Sequence, residues 1–274
     1  MLTDYAAFSL KNLKSRRLRS WLTMIGIFIG IAAVVSLIGL GEGLRLAITS
    51  QFGFLGPDVL SVQASGIAFA GPPGSAVAKP LSDELPEKIE NVNGVGSAFA
   101  RYLESVAMEF NDVQEITIVA SVPDGEDRKN FETMVNLKAA EGRLLKDGDN
   151  RKIVVGSNFK EGDGFGKGIR VGDRVLIKGI TFEVAGILEE KGSFIFDDNI
   201  LMNEKSMIDV LDVEKEKVDF IAVKVKDQNK IQETKAGIEE LLRDERNVDK
   251  GEEDFQVDSP QQTLDALNST LFAV

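Results

Sequence analysis

Residues 21–40 read WLTMIGIFIGIAAVVSLIGL, from Trp21 to Leu40, and none of these 20 residues carries a charge. An α-helix rises about 1.5 Å per residue, so a helix of this length covers the ~30 Å hydrocarbon core of a bilayer. Backbone N–H and C=O groups find no water in lipid, which favours a helix there. The stretch therefore predicts a transmembrane helix in a cell (cytoplasmic) membrane.

The residues before this stretch set its orientation. Asp4 is the single acid among the first 20 residues. The positive-inside bias predicts that residues 1–20 lie in the cytoplasm and that the chain after about Gly41 lies outside. A cleaved signal peptide is the rival interpretation, but its apolar core is shorter, about 7–15 residues, and no clear cleavage site follows here. The topology-setting basic residues are Lys11, Lys14, Arg16, Arg17 and Arg19.

Apolar residues also recur at spacings of three and four before the span. This pattern favours a cytoplasmic amphipathic helix over residues 1–20, lying along the inner membrane surface. An unstructured basic flank is the alternative. Within the span, Gly26 and Gly30 form a GxxxG pair and Ala33 lies near the same stripe. Small residues let a second membrane helix approach closely, so this stripe is a candidate packing face.

The helical pattern continues beyond the membrane, because Leu44, Ile48 and Phe52 follow Leu40 at a spacing of four. A helix from Trp21 to Phe52 would be about 48 Å long and would project past the bilayer as a stalk. Pro57 then ends it, since proline lacks a backbone donor and has a fixed φ. Residues 21–55 are therefore predicted to form transmembrane helix 1 and its stalk.

Residues 56–258 have the alternating pattern of an extracytoplasmic α+β domain. Strand–helix–strand units are predicted at about 58–110 and 218–258, which commonly pack into one mixed sheet with helices on one face. A β-rich subdomain at about 111–216 is predicted as an insertion. Asn111-Asp112 suits a tight hairpin between two long β segments, the first of them at about 95–110.

The last segment, residues 259–274, returns to a helical pattern and ends in an apolar run. We expect it to form a second stalk and the start of transmembrane helix 2, with the sequence truncated at or before that span. The stalk residues predicted in this segment are Leu264, Leu267 and Leu271.

Charge and composition exclude several classes of function. The chain has 32 basic and 44 acidic side chains, and residues after 20 keep 27 and 43 of them, a net charge of −16. Such an acidic outer part argues against nucleic-acid binding. The absence of Cys and His excludes disulfides, Cys and His metal ligands and His-dependent catalytic triads.

Two remaining patterns could suggest chemistry. Gly162–Gly168 superficially resembles a phosphate loop, but it has three residues instead of four before Gly-Lys, and Gly168 stands where a P-loop needs Ser or Thr. A turn is the favoured interpretation. Acidic pairs could bind Ca²⁺, yet none has EF-hand spacing, so solvated loop charge is favoured. These pairs include Asp147/Asp149, Glu189/Glu190, Asp197/Asp198 and Glu252/Glu253/Asp254.

In order and spacing, these features resemble the MacB/FtsX/LolC-type permease subunits of ABC transporters, over essentially the whole chain. The most specific part runs from Asn12 through RSWLTMIGIFIGIAAVV (Arg19–Val35) to Gly43. Further segments are Gly142-Arg143, KIVVG ending at Gly156, Val171-Gly172-Asp173, FEVAGILEEKG (Phe182–Gly192), Asp254-Phe255 and Gln261-Gln262.

The resemblance implies four membrane helices, a dimer with a second permease copy or paralogue, and a separate or fused ABC ATPase subunit that binds ATP. It implies that the stalks carry ATP-driven motion to the outer domain, with no catalytic residue, cofactor or metal in this chain. The sequence lacks helices two to four and any ATPase. Two alternatives stay open: a single-pass anchored binding or sensor domain, and an anchored hydrolase that uses carboxylates.

Overall fold

The computed structural model describes residues 17–52, 58–65, 79–162, 164–259 and 262. The chain divides near residue 48 into an N-terminal helical unit and a folded domain. The predicted cytoplasmic helix up to residue 16 and the predicted second stalk, Ser259 and Gln262 apart, lie outside the described residues.

The N-terminal unit contains one long helix, α1 (Arg17–Phe52), of 36 residues. At about 1.5 Å per residue it is about 54 Å long. Its segment Trp21–Gly43 is long and apolar enough to cross a membrane, and no part of that segment is buried within the structure. The predicted helix from Trp21 to Phe52 is confirmed, although it begins four residues earlier, at Arg17.

The folded domain has eleven strands among the described residues. They are β1 (Val59–Ala64), β2 (Val95–Arg101), β3 (Leu103–Phe110), β4 (Val113–Val122), β5 (Ala139–Gly142), β6 (Lys152–Val155), β7 (Arg174–Ile177), β8 (Ile180–Leu188), β9 (Ile200–Asn203), β10 (Phe220–Val225) and β11 (Phe255–Asp258). Its helices are α2 (Leu85–Glu90), α3 (Glu126–Met134), α4 (Phe194–Asp197), α5 (Glu204–Leu211) and α6 (Ile231–Arg246), with 3₁₀ turns at Ser157–Lys160 and Gln228–Lys230.

Four strands form the first sheet, in the order β11-β1-β10-β2. Both predicted strand–helix–strand units, β1-α2-β2 and β10-α6-β11, belong to it. All its pairings are antiparallel, so the prediction of a mixed sheet was wrong. The reason is that β10 lies between β1 and β2, and β1 lies between β10 and β11. The two strands of each unit are therefore not neighbours, and no parallel pair forms.

The two faces of the first sheet have different neighbours. Leu60 and Val223, opposite each other in the register, pack in one cluster with Ile89 of α2 and Ile238 of α6. On the other face Phe99 packs with Phe131 of α3 in a second cluster. The helices α2 and α6 therefore cover one face, and the inserted segment contacts the other.

Seven strands form the second sheet, in the order β5-β8-β6-β9-β4-β3-β7. Strand β7 also pairs with β8, which closes six of these strands into a barrel. Large apolar side chains fill it, among them Met108, Ile153 and Phe182, all fully buried. A small barrel needs this filling because its interior is only wide enough for side chains.

The chain leaves the first sheet for the barrel at Tyr102. The sequence predicted one β segment over about 95–110, but β2 ends at Arg101 and pairs with β10, whereas β3 begins at Leu103 and pairs with β4. The second sheet therefore starts at Leu103 rather than at about residue 111. Periodicity cannot reveal this break, since residues on both sides remain extended and largely buried.

Two tight turns follow from residue type. Asn111 and Asp112 have φ of 54° and 62° and join β3 to β4, as predicted. Lys178 and Gly179 have φ of 49° and 76° and join β7 to β8. Both turns place two residues at positive φ, as a type I′ hairpin requires.

Helix α3 was not predicted from the sequence. Its segment EDRKNFETM has few apolar residues, and only Phe131 and Met134 among them are buried. The 3.6-residue apolar period that identifies α6 is therefore absent.

Gly156 at the end of β6 tests the packing of the barrel. A Cβ there would overlap the carbonyl oxygens of Phe196 and Asp197, which are backbone atoms that cannot rotate away. We expect Gly156→Ala to lower the free energy of unfolding by about 1–3 kcal/mol or more. The measurement is chemical denaturation of the full chain in detergent, followed by circular dichroism.

The adjacent residue supplies the matched control. The hydroxyl of Ser157 is buried without a hydrogen bond to any described residue. Its removal in Ser157→Ala relieves an unsatisfied polar group, so we expect a neutral or stabilising change of less than about 1 kcal/mol. Equal destabilisation by both variants would contradict the steric account.

Candidate functional site at the junction of the two sheets

The chain passes between the two sheets twice, and the first crossing is Arg101–Leu103. Tyr102 at its centre is fully buried. The backbone N–H of Tyr102 donates to Ser121 Oγ at 2.9 Å, and Ser121 N–H donates back to the carbonyl of Tyr102 at 2.9 Å. Ser121, on β4, is also fully buried. Both backbone groups of Tyr102 are thus satisfied by the barrel.

The second crossing, residues 212–219, runs from α5 back to β10, and it bonds directly to the first. Tyr102 Oη donates to the carbonyl of Lys215 at 2.8 Å. Leu103 N–H donates to Asp219 Oδ2 at 2.7 Å, and Asp219 N–H donates to the carbonyl of Arg101 at 3.1 Å. We name these two segments and their bonds the junction.

Burial perturbs the titrating groups of the junction. It raises the pKa of Asp219 to about 6, although the bond from Leu103 N–H opposes this shift. Burial, followed by the charges of Glu204 and neighbouring acids, raises the pKa of the Tyr102 phenol well above its ordinary value. Tyr102 therefore keeps its proton and remains a hydrogen-bond donor.

Arg101, at the end of β2, is a buried cation in this junction, with 4% of its surface exposed. Its guanidinium carbon lies 4.0 Å from the ring centroid of Phe131 and 5.9 Å from that of Phe220. Aromatic faces attract cations at such distances. Its Nε has no hydrogen-bond partner among the described residues. Burial lowers its pKa to about 9, an effect that Glu204 opposes.

Glu204, the first residue of α5, is the acid that acts on Arg101 from a distance. Burial first and the charge of Asp124 second raise its pKa to about 7, while the charge of Arg101 lowers it. The carboxyl therefore changes its protonation near neutral pH.

Arg128 fixes α3, the helix that carries Phe131. Its guanidinium donates to Asp147 Oδ1 at 2.9 and 3.1 Å, to Asp124 Oδ1 at 2.9 Å and to Asn203 Oδ1 at 3.0 Å. These charge-assisted bonds connect α3 to the barrel strand β9 and to the loop around Asp147. Phe131 of α3 is thereby held against Arg101 at the end of β2.

The comparisons with known proteins agree with this architecture. A sequence profile of the MacB-like periplasmic core domain matches residues 20–241. The chain belongs to the MacB-like periplasmic core domain family. The solved periplasmic region of MacB from Actinobacillus actinomycetemcomitans superposes with a TM-score of 0.59 at 14% identity, covering 81% of this chain and 97% of that one. The likeness to this structure shows the fold alone, and it confirms the predicted α+β class.

Two relatives are similar in sequence. An uncharacterized ABC transporter permease of Methanocaldococcus jannaschii is 30% identical over 272 residues, which cover 98% of this chain and 64% of the relative. The macrolide export ATP-binding/permease protein MacB of Bdellovibrio bacteriovorus is 26% identical over 274 residues, covering 95% and 41%. The chain therefore spans less than two thirds of either relative. The predicted resemblance to MacB-type proteins is confirmed.

None of the predicted membrane and stalk residues of this MacB-like chain belongs to the two segments of the junction. Gly26, Gly30 and Ala33 lie in α1 and are exposed, and a Cβ added at either glycine would meet nothing within 4 Å. Arg17 and Arg19 lie in the first turn of α1, and Leu44, Ile48 and Phe52 lie in its last turns, but the side chains of these five are not described. Lys11, Lys14, Arg16, Leu264, Leu267 and Leu271 lie outside the described residues.

Several of the acids considered as calcium ligands form intramolecular contacts. Asp149 forms an ion pair with Arg143, at 2.6 Å. Asp254 accepts two bonds from the buried Arg246, which also donates to the carbonyls of Lys79 and Pro80. Within the described residues, no group of three or more acidic side chains could hold a metal ion.

Sequence reasoning missed the residues of the junction because none belongs to a chemical motif. One local signal existed for helix α3, which carries Phe131 against Arg101. Asp124 and Arg128 are four residues apart and of opposite charge, as on one face of a helix, and the structure pairs them at 2.9 Å. The contacts of Arg128 with Asp147 and Asn203 depend on the folded barrel and leave no such signal.

The pKa of Glu204 predicts a pH dependence of stability. A carboxyl whose pKa is about 7 when folded, against 4.5 otherwise, favours the folded state when protonated. That stability is complete below about pH 4.5 and is lost as the pH rises through 7. At 1.36 kcal/mol per pKa unit, we expect the free energy of unfolding of Glu204→Gln at pH 8 to exceed that of the wild type by up to ~3 kcal/mol.

Denaturation of the full chain at a series of pH values measures this difference. The advantage of Glu204→Gln over the wild type should shrink steadily from pH 8 to pH 5. The exposed Glu240→Gln, on α6, is the matched control and should show no such trend. A constant advantage across this range would contradict the assignment of the titration to Glu204.

The GxxxG face of α1 remains a prediction with its own test. We expect the double substitution of Gly26 and Gly30 by Leu to abolish association with another membrane helix, because the added side chains hold the backbones apart. Crosslinking in native membranes measures this association. Substitution of Ile27 and Ile31 by Leu is the matched control. Unchanged crosslinking of the glycine variant would show that this face of α1 is not a packing interface.

Proposed function

We propose that this chain acts as the permease subunit of an ABC transporter of the MacB/LolC/FtsX type. The observation that carries the proposal is the family match over residues 20–241, which includes the membrane helix and most of the folded domain. The two relatives described above match nearly all of this chain, and they are named as an ABC transporter permease and an ATP-binding/permease protein.

The proposed orientation places the N-terminus in the cytoplasm and the folded domain outside. The support is the basic flank before Trp21 and the acidic charge of the remaining chain. In this orientation α1 extends beyond the hydrocarbon core, since its 36 residues exceed what the core needs.

In this proposal the chain works mechanically, without catalytic residues or a cofactor of its own. A partner ABC ATPase subunit binds and hydrolyses ATP, and a second permease copy or paralogue completes the pair. Movement of α1 then displaces the domain. The hydrogen bonds of Tyr102 and Asp219 connect the two sheets at both crossings, so a displacement of one sheet is transmitted to the other. The consequence is the export or extraction of a substrate.

Copurification is the direct test of this role. The full-length gene product, solubilised from native membranes, should bring down an ABC ATPase subunit at a fixed stoichiometry. Isolation of a stable assembly without any ATPase would instead support the single-pass binding or sensor domain. Hydrolysis of a glycoside by the purified chain would support the anchored hydrolase.

Leu44→Pro tests the stalk within the assembled transporter. Proline removes a backbone hydrogen bond and clashes with the preceding turn, at a cost of about 3 kcal/mol in a helix interior. We expect ATP hydrolysis to continue while transport per ATP falls at least about tenfold, which corresponds to about 1.4 kcal/mol.

The control for this variant is Leu44→Ala, which keeps the helix and should retain coupling. Circular dichroism should show that the domain stays folded in both variants. Normal coupled transport by Leu44→Pro would contradict the stalk mechanism.

A further inference from the structure

Strand β4 has an unpaired edge along its first half. It pairs with β3 from Val113 to Ala120, but with β9 only from Val119 to Val122. The reason is that β9 begins at Ile200, after the short helix α4. The barrel wall therefore has an opening beside residues 113–118.

Backbone groups of β4 point into this opening. In an antiparallel pair, alternate residues bond to the partner strand. Ser121 N–H donates to Tyr102, which places the odd-numbered residues of β4 in bonds with β3. The carbonyl of Ala107, opposite Ile116, accepts from Lys178 instead, in agreement with this alternation. Gln114 and Ile116 thus direct their N–H and C=O groups to the free edge, where no described residue bonds to them.

A cleft of about 170 Å³ follows this edge. Its far wall is the 3₁₀ turn Ser157–Lys160 with Asp198, and the largely buried rings of Phe159 and Phe165 line its interior. Asp198 is fixed there, because its carbonyl accepts from Thr117 Oγ1 at 3.1 Å and its carboxylate accepts from Asn158 Nδ2 at 2.6 Å. The cleft is therefore a built feature of the fold.

Ile116 at the edge is 82% exposed, the largest exposed fraction among the large apolar side chains of the described residues. An unpaired strand edge with an exposed isoleucine can accept an extended peptide, whose backbone bonds give affinity while pockets and charges select its side chains.

The charge of the cleft indicates the kind of peptide. Its charged lining residues are Glu115 and Asp198, and both are acidic. We propose that this edge, which we name the β4 edge, binds an extended segment of a partner protein in which apolar residues alternate with Lys or Arg. This binding is independent of the transport role, since it needs only the folded barrel.

A pair of synthetic peptides tests the β4 edge. The first is a fluorescein-labelled Lys-Val-Lys-Val-Lys-Val peptide and the second replaces each Lys by Glu. Fluorescence anisotropy is recorded as each is titrated with the full chain in a nonionic detergent. We expect saturable binding of the lysine peptide, and binding of the glutamate peptide at least about tenfold weaker, or ~1.4 kcal/mol.

Two matched variants locate the binding. Ile116→Lys should weaken binding of the lysine peptide at least about tenfold, because the substitution adds positive charge at the edge and removes the apolar contact. Leu176→Lys adds the same charge elsewhere on the barrel, on β7, and should retain most of the affinity. Hydrogen exchange at Gln114 and Ile116 should slow when the lysine peptide binds.

Any of four results would overturn the proposal. These are no saturable binding, equal affinity for both peptides, equal losses in the two variants, and unchanged hydrogen exchange at the β4 edge. Self-association of the chain that Ile116→Lys abolishes, without peptide binding, would also overturn it and would assign the edge to a second copy.

Discussion

The reciprocal hydrogen bonds between Tyr102 and Ser121 are the constraint on which the domain depends. They let the chain leave one sheet and enter another without exposing an unsatisfied backbone group. A buried polar group without a partner costs about 1–3 kcal/mol, so an unpaired crossing would be a weak point. The bond from Leu103 to Asp219 then holds the return crossing beside the first. Two sheets become one body by this means.

The buried cation of Arg101 also joins neighbouring elements, but by electrostatic attraction and not by hydrogen bonds. A lone buried charge is unfavourable unless its surroundings compensate for the lost water. Here the compensation comes from Phe131 on α3, from Phe220 on β10, and from the charge of Glu204 across the junction. These three groups belong to different elements, so displacing any one of these elements removes part of the compensation for the buried charge.

The sequence was sufficient where structure is local. The apolar run from Trp21 predicted α1, and Asn111-Asp112 predicted a hairpin that has positive φ at both residues. It was insufficient where structure is nonlocal. Helix α3 is polar and is held by Arg128, whose partners Asp147 and Asn203 are distant in sequence. The crossing at Tyr102 looks like a continuous strand, since only tertiary pairing distinguishes the two sides.

We propose that ATP-driven motion inside the cell displaces the outer domain as one body. The most direct test places a spin label at Glu240, on the exposed side of α6, in both members of the proposed permease pair. Pulsed electron paramagnetic resonance then measures the distance between the two labels. We predict that the distance distribution shifts when the ATPase is trapped with nucleotide. A distribution that is identical with and without nucleotide would contradict the account.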